Sequence, residues 1–414
     1  MVKQESLLEK KINIKTACKN MAIFSIGLYV VLTTVFESLD SDASVWASLG
    51  MYFCLAMCML YVMVKGTINY NWLIITLAIF GVILYISTYY TRVEQSYIDM
   101  YLSLYWKTVI LLFLAINAME KSEDLQFLLN IYILSGVILA IYMYQSYGLD
   151  YLFTMEERLD DEMGNQNNVA IRCTFSVILA IYRVFTSKSV FRWLWLLLAA
   201  ICVPAIMFLG SRKAIIMIVG ALLTLFLVYD KNPKTKIVNF LKKLVLIGII
   251  FIVVWILIYN VPAFSVIKDR FEEMFALFQG QTSSTNLGDQ NREQYIEEGL
   301  ATFFESPLWG SGFFYSVYLF GVYSHNNFVE LLMNNGLIGF CVFYYIYLKL
   351  FLDIRVLKNR KLSIYALMFM LIVALLIMDI GVVSYYSRYS LLLITLCSRI
   401  VYLETKEMEK EKVS

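Results

Sequence analysis

Repeated apolar runs, each long enough to cross a lipid bilayer, constrain this chain more than any other sequence feature. The clearest run covers residues 362–383. A helix rises about 1.5 Å per residue, so roughly 20 apolar residues cross the ~30 Å hydrocarbon core of a membrane. Of the 414 residues, 60% are apolar and only 16% are charged, whereas about one quarter are charged in a typical soluble domain. No strand-type alternation is present, so the sequence predicts an all-α polytopic membrane protein.

We predict about twelve membrane-spanning helices and a long, partly helical extracytoplasmic loop. The predicted spans are 21–37, 46–64, 72–90, 100–118, 125–145, 168–186, 192–209, 213–229, 244–260, 336–353, 362–382 and 385–402. They define three regions, which are helices one to nine with short loops (1–260), the long loop (261–335), and three further helices with a tail (336–414). Lys and Arg are more frequent on the side that holds both termini, so that side is predicted to be cytoplasmic.

The composition of the remaining sequence indicates neither a metal site nor a nucleotide site. The seven cysteines lie mostly singly inside apolar runs, without a CxxC pair, and the chain has one histidine. We interpret the cysteines as packing residues. No cleavable signal peptide is visible, so the first span is expected to act as its own insertion signal. Within spans, Lys107 and Asp379 are costly charges and therefore functional candidates.

The segment GSRKA (210–214) precedes the eighth predicted span at its outer end. Gly210 and Ser211 are plausible helix caps, and the amino end of a helix offers N–H groups and a positive dipole to phosphate. Arg212 adds a forked donor, and Lys213 adds a second positive charge. The alternative interpretation is that the Arg212 and Lys213 side chains only extend to the membrane–water interface to keep their charges in water.

The segment 324–339 indicates a short helix that starts near Ser324 and stops around Asn334 to Gly336. His325 is expected in its first turn, where the helix dipole disfavours imidazolium and keeps the side chain able to accept a proton. The alternative is that a lone histidine at an interface is only a polar filler.

The long loop contains a polar segment (280–291) and a helical-looking stretch (292–304) that opens with Arg292. Tyr295, Leu300 and Phe304 are expected to lie against the membrane domain. The alternative interpretation is that Arg292 is only a charge on the protein surface.

Two further outer segments offer groups that suit sugars. The turn at 306–315 carries Trp309, Phe313 and Phe314, which either stack on sugar faces or anchor the loop at the interface. GNQNNVAIR (164–172) brings the Asn168 amide and Arg172 near the membrane surface. Amides bind sugar hydroxyls, but they also cap helices.

The order of these motifs resembles the O-antigen ligase and O-antigen polymerase family, which includes polymerases of capsular and exopolysaccharides. The resembling elements are Asn165 to Asn168, Ser211-Arg212, Arg292, the turn with Pro307, Gly310 and Gly312, and His325-Asn326 through Glu330 to Gly336. The resemblance covers the second half of the chain best. It rests on the order of the motifs and on the predicted topology together.

The resemblance implies glycosyl transfer outside the membrane, from a polyprenyl diphosphate-linked sugar to a hydroxyl, without cofactor or metal. It implies that Arg212 and Arg292 bind the diphosphate and that His325 acts as the base. The substrate-binding residues implied beside them are Ser211, Lys213, Arg172, Asn168 and Asn326. The expected location is the bacterial cytoplasmic membrane. The expected partners are membrane lipid, the lipid-linked oligosaccharide substrate, a chain-length regulator and a flippase, with no nucleic acid.

Three activities fit a chain of this kind. A polymerase adds glycan to another lipid-linked repeat unit, whereas a ligase adds it to a lipid A core. We favour a polymerase, because the Ile-, Lys-, Asn- and Tyr-rich composition is typical of a low-GC bacterium, and a Gram-positive source lacks lipopolysaccharide. A repeat-unit flippase is the alternative of a different class, but the long outer loop and the absence of an internal repeat argue against it.

Overall fold

The computed structural model describes residues 2–37, 41–155, 159, 165–187, 190–229, 236–260, 264–278 and 287–413, and these residues form helices without any strand. The helices are α1 Val2–Phe36, α2 Ser41–Lys65, α3 Trp72–Ser87, α4 Gln95–Ala118, α5 Ser122–Tyr147, α6 Leu149–Thr154, α7 Gln166–Thr186, α8 Arg192–Phe208, α9 Arg212–Val228, α10 Lys236–Asn260, α11 Ser265–Phe278, α12 Leu287–Glu305, α13 Tyr315–Phe320, α14 Asn327–Asp353, α15 Leu362–Asp379 and α16 Arg388–Val413. The predicted all-α class is confirmed for this part of the chain.

Each predicted span coincides with one of these helices. Not all of the helices, however, are long and apolar enough to cross a membrane. Within the described residues, seven helices are long and apolar enough to cross a membrane. They are Ile14–Phe36, Ser44–Lys65, Gln95–Ala118, Ser122–Tyr147, Gln166–Thr186, Asn327–Leu357 and Leu362–Asp379. Trp72–Ser87 and Arg192–Phe208 are apolar but shorter. The protein is therefore a multi-pass membrane protein, and the count of about twelve spans stays a prediction.

The segment between α10 and α14 is largely helical where the structure describes it. It contains α11, α12 and α13, and the helix predicted at 292–304 lies inside α12. The first part of the predicted polar segment, 280–286, lies outside the described residues, as do 160–164 of the other predicted outer loop. The described part of that second loop includes the short helix α6, which the sequence analysis did not anticipate.

Contacts between distant parts of the sequence gather the predicted outer ends of the helices in one place, which we call the site end. Glu37 after α1 pairs with Arg388 at the start of α16. The Asn165 amide before α7 donates to the Tyr323 hydroxyl at 2.6 Å. At the opposite end, Lys65 of α2 pairs with Glu120 at 2.7 Å. These contacts place the end of α1 beside the start of α16, and the end of α2 beside the residues that follow α4.

The cysteines are mostly packing residues, as predicted. Five of them are buried, and Cys18 is partly buried. Cys341 on α14 is exposed, so the packing interpretation is wrong at that position. The buried cysteines are Cys54, Cys58, Cys173, Cys202 and Cys397.

Candidate functional site

His325 lies immediately ahead of α14, in a left-handed backbone conformation with φ of 59°. Asn326 is the N-cap of that helix, and its side-chain oxygen accepts from the backbone N–H groups of Phe328 at 3.0 Å and Val329 at 3.2 Å. The sequence prediction that the helix starts near Ser324, with His325 in its first turn, is therefore wrong by about one turn. The cap uses the Asn326 amide oxygen, which leaves the histidine outside the helix.

The imidazole of His325 is largely enclosed by aromatic rings and faces two cations. The centroid of its ring lies 4.2 Å from that of the Tyr323 ring and 6.4 Å from that of the Tyr295 ring. The imidazole is nearly parallel to the Tyr295 ring. Burial, followed by the positive charges of Arg292 and Lys213, lowers the pKa of His325 to about 4. Burial and neighbouring positive charge thus favour the neutral form of the side chain at ordinary pH.

The loop that carries His325 is fixed by the buried carboxylate of Glu330. This carboxylate accepts from the Ser324 backbone N–H and the Ser316 hydroxyl, each at 2.7 Å, and from the Asn334 amide at 3.4 Å. One side chain on α14 thereby anchors both the residue before His325 and the start of α13. Because Glu330 is fully buried, each of these hydrogen bonds is costly to lose.

The helix α14 is broken at Gly336, and the turn after α12 fills the break. Gly336 has φ of 61° and ψ of −166°. Four backbone hydrogen bonds join the two segments: Ser311 N to Met333 O at 2.8 Å, Gly312 N to Asn334 O at 2.8 Å, Leu337 N to Pro307 O at 2.9 Å, and Ile338 N to Leu308 O at 3.2 Å. The turn at 306–315 and the segment from His325 to Gly336, which we call the histidine segment, therefore form one structural unit.

Only glycine fits at the closest points of this unit. A Cβ atom at Gly336 would lie 2.3 Å from the carbonyl oxygen of Leu308, and one at Gly310 would lie 2.5 Å from the carbonyl carbon of Asn334. Both residues also have positive φ, a conformation that side chains disfavour. The glycines singled out in the sequence permit close backbone contact.

The aromatic residues of the turn differ in their exposure. Phe313 and Phe314 are buried, and Phe314 packs against Tyr101 with 4.6 Å between ring centroids. Their predicted availability to stack on sugars is therefore wrong. Trp309 is half-exposed, so stacking on a sugar stays a prediction for that residue alone.

The helix α12 packs against the histidine segment by a face that differs in part from the predicted one. Tyr295 contacts Phe320 with 4.4 Å between ring centroids. Phe304 is 74% exposed, whereas its neighbour Phe303 is buried. The prediction that Phe304 lies against the rest of the protein is wrong. Arg292, one turn before Tyr295, contributes positive charge at His325.

Arg212 is the first residue of α9, and Ser211 stands at the N-cap position. The Ser211 hydroxyl makes no capping hydrogen bond and instead donates to the side-chain oxygen of Asn167 at 3.3 Å. The predicted side-chain cap is therefore wrong. The Lys213 ammonium donates to the Gly381 carbonyl at 2.6 Å, which ties α9 to the turn after α15.

A cavity of about 340 Å³ opens at the site end and contains two of the predicted substrate-binding residues. Asn168, Arg172 and Tyr323 line it, together with Glu37 and Arg388. Tyr323 also contacts His325, so the cavity lies one aromatic ring away from the histidine.

Arg172 is buried inside the protein at the site end. Its Nη1 donates to the carbonyls of Thr33 at 2.7 Å and Thr34 at 2.9 Å. Its Nη2 lies 2.9 Å from Glu37 Oε2, while Arg388 Nε lies 2.7 Å from Glu37 Oε1. A single carboxylate thus holds two guanidinium groups in the cavity wall.

The two intramembrane charges have partners that the sequence did not identify. The buried carboxylate of Asp379 accepts from the Ser384 hydroxyl at 2.5 Å, the Tyr344 hydroxyl at 3.1 Å and the Asn327 amide at 3.3 Å. Asp379 therefore positions the first residue of α14, two places after His325. The Lys107 ammonium donates to the Tyr52 hydroxyl at 3.2 Å.

Sequence reasoning missed three residues of the site, Glu37, Tyr323 and Arg388. Charges at or inside apolar segments are costly in lipid, and Arg388 interrupts the segment SYYSRYS (384–390) inside the last predicted span. This signal was sufficient to single out Arg388. Tyr323 has no comparable signal, because many tyrosines lie near predicted interfaces.

Comparison with known proteins agrees with the order of these motifs. No curated protein matches the chain. Residues 196–344 match the family model described as O-antigen ligase, and this segment contains Arg212, Arg292, the turn at 307–312 and His325. The members of that family are membrane glycosyltransferase-like enzymes, ligases and polymerases. This match supports, for residues 196–344, the resemblance to the O-antigen ligase and polymerase family.

Proposed function

We propose that this protein is a polysaccharide polymerase of the bacterial cytoplasmic membrane, with both termini in the cytoplasm and the site end outside. It transfers glycan from a polyprenyl diphosphate-linked donor to a sugar hydroxyl of a lipid-linked repeat unit. The observation that carries the proposal is a neutral, enclosed His325 facing the charges of Arg292 and Lys213. A base next to cations suits a reaction in which a hydroxyl loses a proton while a diphosphate leaves.

The proposed reaction is a direct displacement with inversion at the anomeric carbon. The acceptor oxygen forms a bond to that carbon, and its proton passes to His325. The bond from the carbon to the diphosphate oxygen breaks, and its electron pair leaves with the diphosphate. Arg212 and Arg292 bind the diphosphate and stabilise its developing charge, a task that guanidinium groups perform without a metal.

The other proposed substrate-binding residues differ in what their contacts allow. Lys213 contributes positive charge at His325, so it supports the binding of the diphosphate. Asn168 lines the cavity, where its amide suits a sugar hydroxyl. The amide oxygen of Asn326 and the hydroxyl of Ser211 are engaged with protein, so we propose for them a role in holding the site in shape.

The second candidate is an O-antigen ligase, which would use the same donor and the same base. The matching family model includes both activities, so the choice of polymerase rests on the low-GC composition. A chain-length regulator and a repeat-unit flippase are the proposed protein partners, because a polymerase extends units that have already crossed the membrane.

The first test is extension of a purified lipid diphosphate-linked repeat unit by the reconstituted protein. We expect a ladder of products from the wild type, and its loss in the variants His325→Ala and Arg212→Ala at matched expression. Removal of a general base lowers rates by about 10²- to 10⁴-fold. The control is Arg360→Ala, because Arg360 is exposed in the connection between α14 and α15 and lies outside the site.

The alternatives give different results in the same preparation. A wild type that adds glycan to a lipid A core but not to a repeat unit is a ligase. A wild type that moves the lipid-linked unit across the bilayer without extending it is a flippase. A ladder that persists in His325→Ala contradicts the assignment of the base.

A further inference from the structure

A second cavity opens at the end of the protein opposite to the site end. One of its walls is a face of α16, and another includes the connection between α4 and α5. Its volume, about 560 Å³, is in the range of small-ligand sites. None of the residues assigned to the transfer reaction lines it, so a ligand bound there is not a reacting group.

Four cations line this second cavity, which we call the basic cavity. Lys406 and Lys410 are exposed and lie about one turn apart on α16. Arg399 lies two turns before Lys406 on the same helix, and Lys121 lies at the start of α5. Because residues three and four apart are neighbours on a helix surface, the positive groups of α16 share one face with Tyr402, which also lines the cavity.

The acidic residues of the basic cavity do not balance these cations. Glu120 already pairs with Lys65 at 2.7 Å, and Glu407 pairs with Lys361 at 2.9 Å. Both of these lysines lie outside the cavity lining. Among the described residues, Glu123 is therefore the one lining carboxylate that is left to offset the four cations. The lining has an excess of positive charge, which favours an anionic ligand.

Two of the cations approach one exposed aromatic ring. The centroid of the Tyr402 ring lies 4.9 Å from the guanidinium carbon of Arg399 and 5.8 Å from the ammonium nitrogen of Lys406. The Arg399 Nε donates to the Met119 carbonyl at 2.7 Å, which fixes the guanidinium. Tyr402 is 42% exposed, and Lys406 and Lys410 are exposed as well. A ligand that enters the basic cavity can therefore reach these groups.

The start of α5 adds a further preference for an anion. Ser122 and Glu123, the first two residues of this helix, line the basic cavity. The first N–H groups of a helix have no partner within the helix, and its amino end carries a partial positive charge. The Asp124 carboxylate accepts from the backbone N–H groups of Glu120 and Lys121, which precede the helix. A phosphate group suits both a helix amino end and neighbouring cations.

The position of the basic cavity along α16 corresponds to the level of lipid headgroups. The last predicted span ends at residue 402, and tyrosine is enriched at membrane interfaces. Lys406 and Lys410 lie one and two turns beyond that end. Under the proposed topology this end faces the cytoplasm, where basic pockets between membrane helices bind anionic headgroups.

We propose that the basic cavity binds an anionic phosphate group between the ammonium groups of Lys406 and Lys410 and the start of α5. The phosphate belongs either to the headgroup of an anionic membrane lipid or to a soluble phosphate compound, because the same contacts serve both. The position at the headgroup level favours the lipid. This site goes beyond the proposed function, and binding there does not depend on the transfer reaction.

The test measures the binding of matched probes to the purified full chain in detergent. Native mass spectrometry gives the Kd of dioleoyl phosphatidic acid and of dioleoyl phosphatidylcholine, whose headgroup has no net charge. Titration calorimetry gives the Kd of glycerol 3-phosphate, which is the soluble part of phosphatidic acid, and of uncharged glycerol. The lipid and the soluble compound thus present the same phosphate group.

The cavity variant combines Lys406→Gln with Lys410→Gln. Both lysines are exposed, so the melting temperature should not change. The control variant combines Lys358→Gln with Arg360→Gln, which removes two exposed charges from the connection between α14 and α15. This connection lies at the same end, because the next residue, Lys361, pairs with α16, but it does not line the cavity. The two variants have equal net charge, so they separate the cavity from the general charge of this end.

We expect the wild type to bind phosphatidic acid more tightly than phosphatidylcholine. Each lysine near a phosphate contributes about 5-fold to affinity, so the cavity variant should lose on the order of 30-fold. The control variant should lose less than about 3-fold, because its charges are distant and screened. A loss confined to phosphatidic acid assigns the site to a lipid headgroup. A similar loss for glycerol 3-phosphate shows that the phosphate group alone is sufficient and that the site accepts soluble compounds.

Two results overturn the proposal. In the first, neither phosphate probe binds the wild type more tightly than its partner without net charge. In the second, the cavity variant binds the phosphate probes as tightly as the control variant does, so any attraction comes from the general charge of this end of the protein.

Discussion

The Tyr323 ring lies against the imidazole of His325, with 4.2 Å between the ring centroids, and the same tyrosine forms part of the cavity wall. Its hydroxyl accepts a hydrogen bond from Asn165, which also caps α7. A single side chain therefore encloses the proposed base, lines the cavity and connects two distant segments of the chain.

Removal of the Tyr323 ring should damage transfer more than removal of its hydroxyl. Tyr323→Ala opens the enclosure of His325, and we expect the rate constant kcat to fall about 10- to 100-fold, as for other misplaced reacting groups. Tyr323→Phe keeps the ring and loses one hydrogen bond, so a loss of only about 3-fold is expected. Steady-state kinetics of both variants test this, with Tyr70→Ala as the control because Tyr70 is 80% exposed. An unchanged kcat in Tyr323→Ala contradicts the prediction.

The pH dependence of transfer should change when the donor binds. Without substrate, the pKa of His325 is about 4, lowered by burial and by Arg292 and Lys213. The base is therefore lost only as the pH falls toward 4, and kcat/KM, which reports the free protein, should stay level down to about pH 5.

A bound diphosphate offsets the positive charge of Arg292 and Lys213, which raises the pKa of His325 in the complex. The acidic limb of kcat should therefore lie at a higher pH than the acidic limb of kcat/KM. Parallel pH profiles of the two constants measure this difference. Coincident limbs would show that the diphosphate does not bind beside the histidine.

The helices were predictable from sequence because the signal is local. A run of apolar residues, such as 362–383, predicts from its own composition a helix that the structure shows over Leu362–Asp379. The glycines of the turn and of Gly336 were also recognisable. The contact between the turn and Gly336 was not predictable, because the hydrogen bonds that form it join two segments whose sequences share no pattern.

The errors have equally physical causes. Glu37 and Arg388 are 351 residues apart, and no periodicity relates charges at the ends of different helices. Phe303 rather than Phe304 is buried, which is a difference of one residue and therefore about 100° around the helix. Serine is a preferred N-cap residue, but the Ser211 hydroxyl bonds to the side chain of Asn167 instead of capping α9.

Glu330→Gln should loosen the loop that carries His325. A glutamine has one accepting oxygen, so it cannot receive hydrogen bonds from both Ser316 and Ser324 in the same geometry as the carboxylate. We expect a cost of about 1–3 kcal/mol for the buried donor that loses its partner. Hydrogen–deuterium exchange should become faster in residues 315–325, and transfer should fall. Glu297→Gln is the control, because Glu297 is exposed on α12. Unchanged exchange in the loop would show that Glu330 does not hold it.

Gly336→Ala should destabilise the protein far more than Gly321→Ala, although both glycines have positive φ, 61° and 73°. A methyl group at Gly321 meets no atom within 4 Å, so this control measures the backbone cost alone, about 1–2 kcal/mol. Gly336 differs in two ways: its ψ of −166° lies in a backbone region that only glycine adopts, and a methyl group there would lie 2.3 Å from the Leu308 carbonyl oxygen. Together these effects add a further cost of about 1–3 kcal/mol. The free energies of unfolding in detergent give both values. If they are equal, the insertion of the turn into α14 is not what fixes the histidine segment, and the close contact between the two motifs contributes nothing to stability.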